Sequence, residues 1–147
     1  MAQGVEGVWN DMNEPAVFTG PGHSMPLDNG HSADVLLGGP GPHAQYHNVY
    51  GLLMSTATHT GVKRAKPDKR PFVLTRATFI GGHRVAATWT GDNVANWEHL
   101  GYSIPMALNL GLSAQPFCGP GTGGFKGPGT PAPCARWRGG GVGHSRG

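Results

Sequence analysis

Charge is scarce in this chain. Only 13% of its 147 residues are Asp, Glu, Lys or Arg, about half the usual share. The carboxylates are Glu6, Asp11, Glu14, Asp28, Asp34, Asp68, Asp92 and Glu98, so acid chemistry has few candidates. Cysteine is scarcer still. Cys118 and Cys134 stand alone and form no CxxC pair, which excludes a disulfide-stapled scaffold. Long apolar runs are missing too, and none approaches the roughly 18 residues of a membrane-spanning helix. The first residues, MAQGVEGVWND, lack the basic head and apolar stretch of a signal peptide, leaving a cytoplasmic address as the default expectation.

Glycine and proline are what the chain has in excess. It holds 26 Gly and 13 Pro, and half of residues 118–147 are one or the other. This distribution predicts a foldable body through about residue 125, then an irregular tail over 126–147, disordered or out of frame. Net charge is +3, and five of the eleven basic residues cluster at Lys63, Arg64, Lys66, Lys69 and Arg70. No aromatic side chains interleave with them, so the cluster reads as a solvated helix end rather than a nucleic-acid surface.

Apolar patterning divides the body into strands and helices. Val5, Val8 and Trp9 read as a strand that stops at Asn10-Asp11, and residues 19–46 as a long turn-rich loop. A helix is expected from Asn48, as its cap, to about Ala65, with Val49, Leu52, Leu53 and Ala57 on its buried face. Phe72–Thr75 and Val85–Trp89 read as strands. Residues 96–110 read as a helix packed through Trp97, Leu100, Ile104 and Leu108, with Pro105 kinking it or starting a new one. A last strand is expected near residues 115–118. Alternating strands and helices predict an α/β fold with a parallel sheet. The span from Phe79 to Arg84 is too short for a crossover helix, so residues 71–90 alone read as a hairpin.

Asp11 and Asp92 each stand just past an apolar strand. In parallel α/β folds the strand fixes such a residue and the following loop exposes it. A carboxylate pair of this kind is what glycosidic bond cleavage needs. Strand-end Asp is equally a common turn former, so position alone leaves both readings open. His43 and His47, four apart, have the spacing of helix-borne metal ligands, but no HExxH accompanies them, and a metal site is not expected.

The wording around the two aspartates decides between the readings. Val8-Trp9-Asn10-Asp11-Met12-Asn13-Glu14-Pro15 resembles the nucleophile segment of family 31 glycoside hydrolases, the α-glucosidase family. Arg70–Phe79, followed by Trp89-Thr90-Gly91-Asp92-Asn93, resembles that family's substrate arginine and acid/base. The resemblance extends from residue 3 to about residue 120. It implies the central part of a (β/α)8 TIM barrel over residues 1–125, with Trp9 on the fourth strand, Val73 on the fifth, Trp89 on the sixth and Pro116 near the seventh. The family's short connection after the fifth strand replaces the hairpin reading. The resemblance further implies a retaining α-glucosidase with Asp11 as nucleophile and Asp92 as acid/base, their carboxyls about 5–5.5 Å apart. Met12, Arg76, Trp89, Phe125 and His144 are implied to bind substrate, and Glu14 to be structural. The substrate is an α-glucoside or α-glucan, with no metal, cofactor, nucleic acid or membrane involved.

The chain departs from the family pattern at the seventh strand. Gly121 stands where the family's Gly-Pro-Asp-Ile-Gly-Gly-Phe word has its Asp, and no apolar strand precedes His144. Nothing in the chain corresponds to the first three barrel strands. Unpaired strand edges favour association, so the isolated chain is expected to be insoluble, oligomeric or partly folded, with little or no activity. The alternatives are a non-catalytic sugar-binding or inert fragment, or the family's α-xylosidase or α-glucan lyase chemistry.

Overall fold

The computed structural model describes residues 4–127, 129 and 131–144, with side chains described as far as Trp137. The chain forms two compact units, Met1–Ala86 and Ala87–Gly147. Each contains a parallel strand pair and the helix that links its two strands.

In the first unit, β1 (Gly7–Asn10) lies parallel to β4 (Phe72–Thr75), in the register Gly7↔Phe72 to Asn10↔Thr75. Parallel neighbours need a long crossover, and α1 (His43–Ala65) supplies it. This helix starts five residues before the expected Asn48 cap. Pro42 precedes it, with a fixed φ suited to a helix start and no side-chain cap. The long loop is more ordered than expected. Two-residue strands β2 (Gly30–His31) and β3 (Gly41–Pro42) pair antiparallel within it, and Asp34 Oδ1 accepts from Leu36 N at 2.8 Å to cap a short 3-10 turn.

The face expected to be buried on α1 is not the one that is. Val49, Leu52 and Leu53 are half-buried and Ala57 is exposed, while Tyr46, Gly51, Ser55 and Val62 are buried. The reason is close approach. A Cβ on Gly51 would sit 2.5 Å from the Ala77 carbonyl oxygen, so small residues line the contact with the loop after β4. At the far end, Lys66 and Lys69 pair with Glu6 at 2.8 and 3.1 Å. These lysines hold the Glu6 carboxyl below the usual range.

Three histidines fasten the loop to the start of α1. His31 Nε2 lies 2.9 Å from His43 Nδ1, and His43 Nε2 lies 3.0 Å from His47 Nδ1. His43 is fully buried, and burial, then its two histidine neighbours, push its pKa down. Tyr46 and Tyr50 are the other titratable rings around the cluster. The folded chain therefore binds a proton at His43 less readily than the unfolded chain, whose His titrates near about 6.5. Stability should be whole above that value and decline as pH falls below it, until the folded pKa is passed. Urea melts at about pH 7.5 and 5.5 should show this loss, and His43→Gln should reduce it. Parallel pH curves for the two proteins would contradict the assignment.

In the second unit, β5 (Ala87–Trp89) lies parallel to β6 (Cys118–Gly119), with Thr88 opposite Cys118. The crossover is α2 (Trp97–Leu112), capped by Asn96 Oδ1, which accepts from His99 N at 2.8 Å. Pro105 lies inside one continuous helix rather than starting a second. Here too the buried line is made of small residues, Ser103 and Ala107. The expected core residues Trp97, Ile104 and Leu108 are exposed, and Leu100 is half-buried. The tail also differs from the irregular segment expected. Residues Pro131–His144 form α3, because prolines are tolerated in a first helical turn and Trp137 gives the helix an apolar anchor, only 2% exposed.

Candidate active site

Asp11 follows the last residue of β1, where the backbone turns sharply. Met12 takes a left-handed conformation, φ 55°, which is costly for a side-chain-bearing residue. The turn brings the Met12 N–H onto Asp11 Oδ1 at 2.7 Å. Asn13, buried at 2% exposure, ties this loop to the one after β4. Its Nδ2 donates to Thr75 Oγ1 at 2.9 Å, and its Oδ1 accepts from Ala77 N at 3.0 Å. Asn10 is buried as well, and its Nδ2 donates to Thr58 Oγ1 on α1 at 3.2 Å.

These ties fix Arg76 between two carboxylates. Its Nε and Nη2 donate to the two Glu14 oxygens at 2.7 and 3.0 Å, a bidentate clamp, and its Nη1 lies 3.3 Å from Asp11 Oδ1. The clamp matters because a planar guanidinium held on one edge presents its third nitrogen in a fixed direction. Asp11 and Met12 remain exposed, open to a ligand.

In the second unit, Asp92 follows β5 through Gly91, whose φ of 84° favours glycine. Asp92 is exposed, and Asn93 beside it is buried. Asn93 organises the neighbouring loop. Its carbonyl accepts from Phe125 N and Lys126 N at 2.7 and 3.1 Å, and its Nδ2 donates to the Gly121 carbonyl at 3.0 Å. Trp89 is half-buried and Phe125 exposed. Gly121 is half-buried, and a Cβ there would sit 3.2 Å from Asn93 Oδ1. His144 lies outside the residues whose side chains are described.

The family model of the glycosyl hydrolases family 31 TIM-barrel domain matches residues 1–145. The chain belongs to glycosyl hydrolase family 31. It is 53% identical over 122 residues to "Alpha-glucosidase 2" of Bacillus thermoamyloliquefaciens, a match covering 83% of this chain and 15% of that protein. It is 48% identical over 131 residues to "Neutral alpha-glucosidase AB" of Homo sapiens, covering 88% and 13%. Among solved structures, the family 31 α-glucosidase of Bacteroides thetaiotaomicron superposes with a TM-score of 0.75 at 47% identity, over 92% of this chain and 20% of that one. The chain thus spans about one seventh of the length of the curated relatives it matches. Its α/β fold is part of the family 31 barrel.

Within this family 31 chain, Asp11, Met12 and Arg76 come together in the first unit, while Asp92, Trp89 and Phe125 belong to the second. Sequence reasoning placed Glu14 near Asp11 but missed its clamp on Arg76. It also missed the Asn13 bridge to Thr75 and Ala77. Position gave the one available signal: polar residues two and three positions after a strand-end acid.

Proposed function

We propose that this chain carries the catalytic carboxylates of a retaining α-glucosidase, acting on the non-reducing end of an α-glucoside or α-glucan. The observation that carries the reading is the setting of Asp11. It is an exposed carboxylate at a strand end, oriented by the Met12 N–H and by a guanidinium that Glu14 clamps from behind. Such fixed donors hold a nucleophile in one attack direction.

In this reading Asp11 attacks the anomeric carbon, and the glycosidic oxygen departs with a proton from Asp92. Asp92, now a carboxylate, takes a proton from water, and that water's oxygen bonds to the anomeric carbon as the bond to Asp11 breaks. Arg76 and Met12 line the sugar site beside Asp11. Trp89 and Phe125 offer aromatic faces to the sugar ring. No step calls for a metal or cofactor. Gly121 favours a second reading, binding without turnover, since glycine brings no side-chain hydrogen bond to a substrate hydroxyl.

The stereochemistry of the product tests the proposal. Residues 4–117 grafted into the Bacillus relative, in place of its matching segment, should release α-glucose first from an aryl α-glucoside, followed by the anomeric proton in NMR. β-Glucose as the first product would contradict a retaining pair.

A further inference from the structure

Three imidazoles stand in a row where the loop after β1 reaches α1. His31 Nε2 lies 2.9 Å from His43 Nδ1, and His43 Nε2 lies 3.0 Å from His47 Nδ1. His43 is fully buried, while His31 and His47 are half-buried. Tyr46 and Tyr50 are the other titratable side chains against these rings. No carboxylate pairs with any of the three among the described residues.

The row tolerates one extra proton but not two. A neutral imidazole has one N–H and one lone pair. Both contacts are met only if His43 donates to one neighbour and accepts from the other, so the three tautomers are set together. One added proton still leaves a single N–H at each contact, and its charge can rest on any of the three rings. A second added proton sets two N–H groups face to face at one contact or the other, whichever rings carry the charges.

We infer that His31, His43 and His47 form one shared proton site that latches this loop to α1, holding with one extra proton and opening with the second. Burial, then its two histidine neighbours, lower the pKa of His43. The latched loop is therefore favoured above the ordinary histidine value, about 6.5, and loses ground as pH falls below it. Opening reaches the Asp11 turn. Pro15 O accepts from Ser24 Oγ at 3.0 Å and from Met25 N at 3.3 Å, and Ser24 Oγ lies 3.5 Å from His47 Nδ1. Glu14, which clamps Arg76, is the residue before Pro15. That consequence for Asp11 rests on the α-glucosidase reading; the latch does not.

The test is a pH titration of the full chain labelled at its histidine ring nitrogens, with amide exchange measured alongside. The three rings should titrate in shared steps, each ring's shifts moving at more than one midpoint. In His43→Gln, whose amide donates and accepts but takes up no proton, His31 and His47 should each show a single step. At the second step the amides of Met25, His43 and Ala44, which donate to Pro15, Asn29 and Leu27, should lose protection. Arg76, whose N–H donates to the Asn10 carbonyl, should keep it. Three independent single steps in the unaltered chain, as an unfolded chain would give, overturn the proposal. Loop amides that stay protected through both steps overturn it, and so does protection lost equally at Arg76. If His43→Gln does not fold, the number of steps in the unaltered chain still decides. Failure of the α-glucosidase reading would show in the anomer assay and leaves these titrations unchanged.

Discussion

Asp11→Asn should lower turnover on the order of 10⁴-fold or more in the grafted enzyme. An amide cannot form the glycosyl ester on which the two-step route depends. The change is nearly isosteric, and Asn can still accept from the Met12 N–H, so the loop should keep its shape. Asn also removes the charge opposite Arg76 at 3.3 Å, but the guanidinium keeps its bidentate partner Glu14. Binding of an unreactive glucoside analogue should therefore change far less than the rate. Initial rates of aryl α-glucoside cleavage measure the loss. A variant that kept a tenth or more of the rate would remove Asp11 from the nucleophile role.

Gly51→Ala should destabilise the first unit by about 3 kcal/mol, the upper end of ordinary overpacking. The added Cβ would lie 2.5 Å from the Ala77 carbonyl oxygen and 2.7 Å from its carbonyl carbon. Both are backbone atoms and cannot swing aside. The gain in helix propensity, ~1 kcal/mol for Ala over Gly, is too small to offset the clash. Ala77 also donates its N–H to Asn13 Oδ1, so displacing it would disturb the bridge that fixes the Asp11 loop. The measurement is a denaturant melt beside Gly61→Ala on the same helix, where a Cβ meets nothing within 4 Å. Equal stability of the two variants would show that α1 does not press on this loop.

The contrast between these glycines shows where sequence reasoning reached and where it stopped. Strand ends were legible because Asn10-Asp11 and Gly91-Asp92 break apolar runs abruptly, and the helices because their apolar residues recur with helical spacing. Which face each helix buries was not legible. Periodicity finds a stripe of large apolar residues, yet α1 and α2 meet their neighbours through Gly51, Ser55, Ser103 and Ala107. Small residues allow close approach and leave no hydrophobic signature. The start of α1 was missed for a related reason. His43 and Tyr46 are buried through ring contacts with distant His31, and local propensity carries no trace of them. At the candidate site, the strand-end placement of the two aspartates could be read from the sequence. The Glu14–Arg76 clamp and the Asn13 bridge join residues more than sixty positions apart, and only the parallel pairing of β1 with β4 brings them together.

The central claim is that Asp11 is the residue that bonds to the sugar. Its most direct test is to trap that bond in the grafted enzyme with a fluorinated α-glucosyl fluoride, whose glycosyl ester forms faster than it hydrolyses, and to map the adduct by peptide mass spectrometry. The account predicts one glycosyl group, on Asp11, and no adduct in Asp11→Asn. A label on Glu14 or Asp92, or steady turnover of the inactivator with no adduct on any residue of this segment, would contradict it.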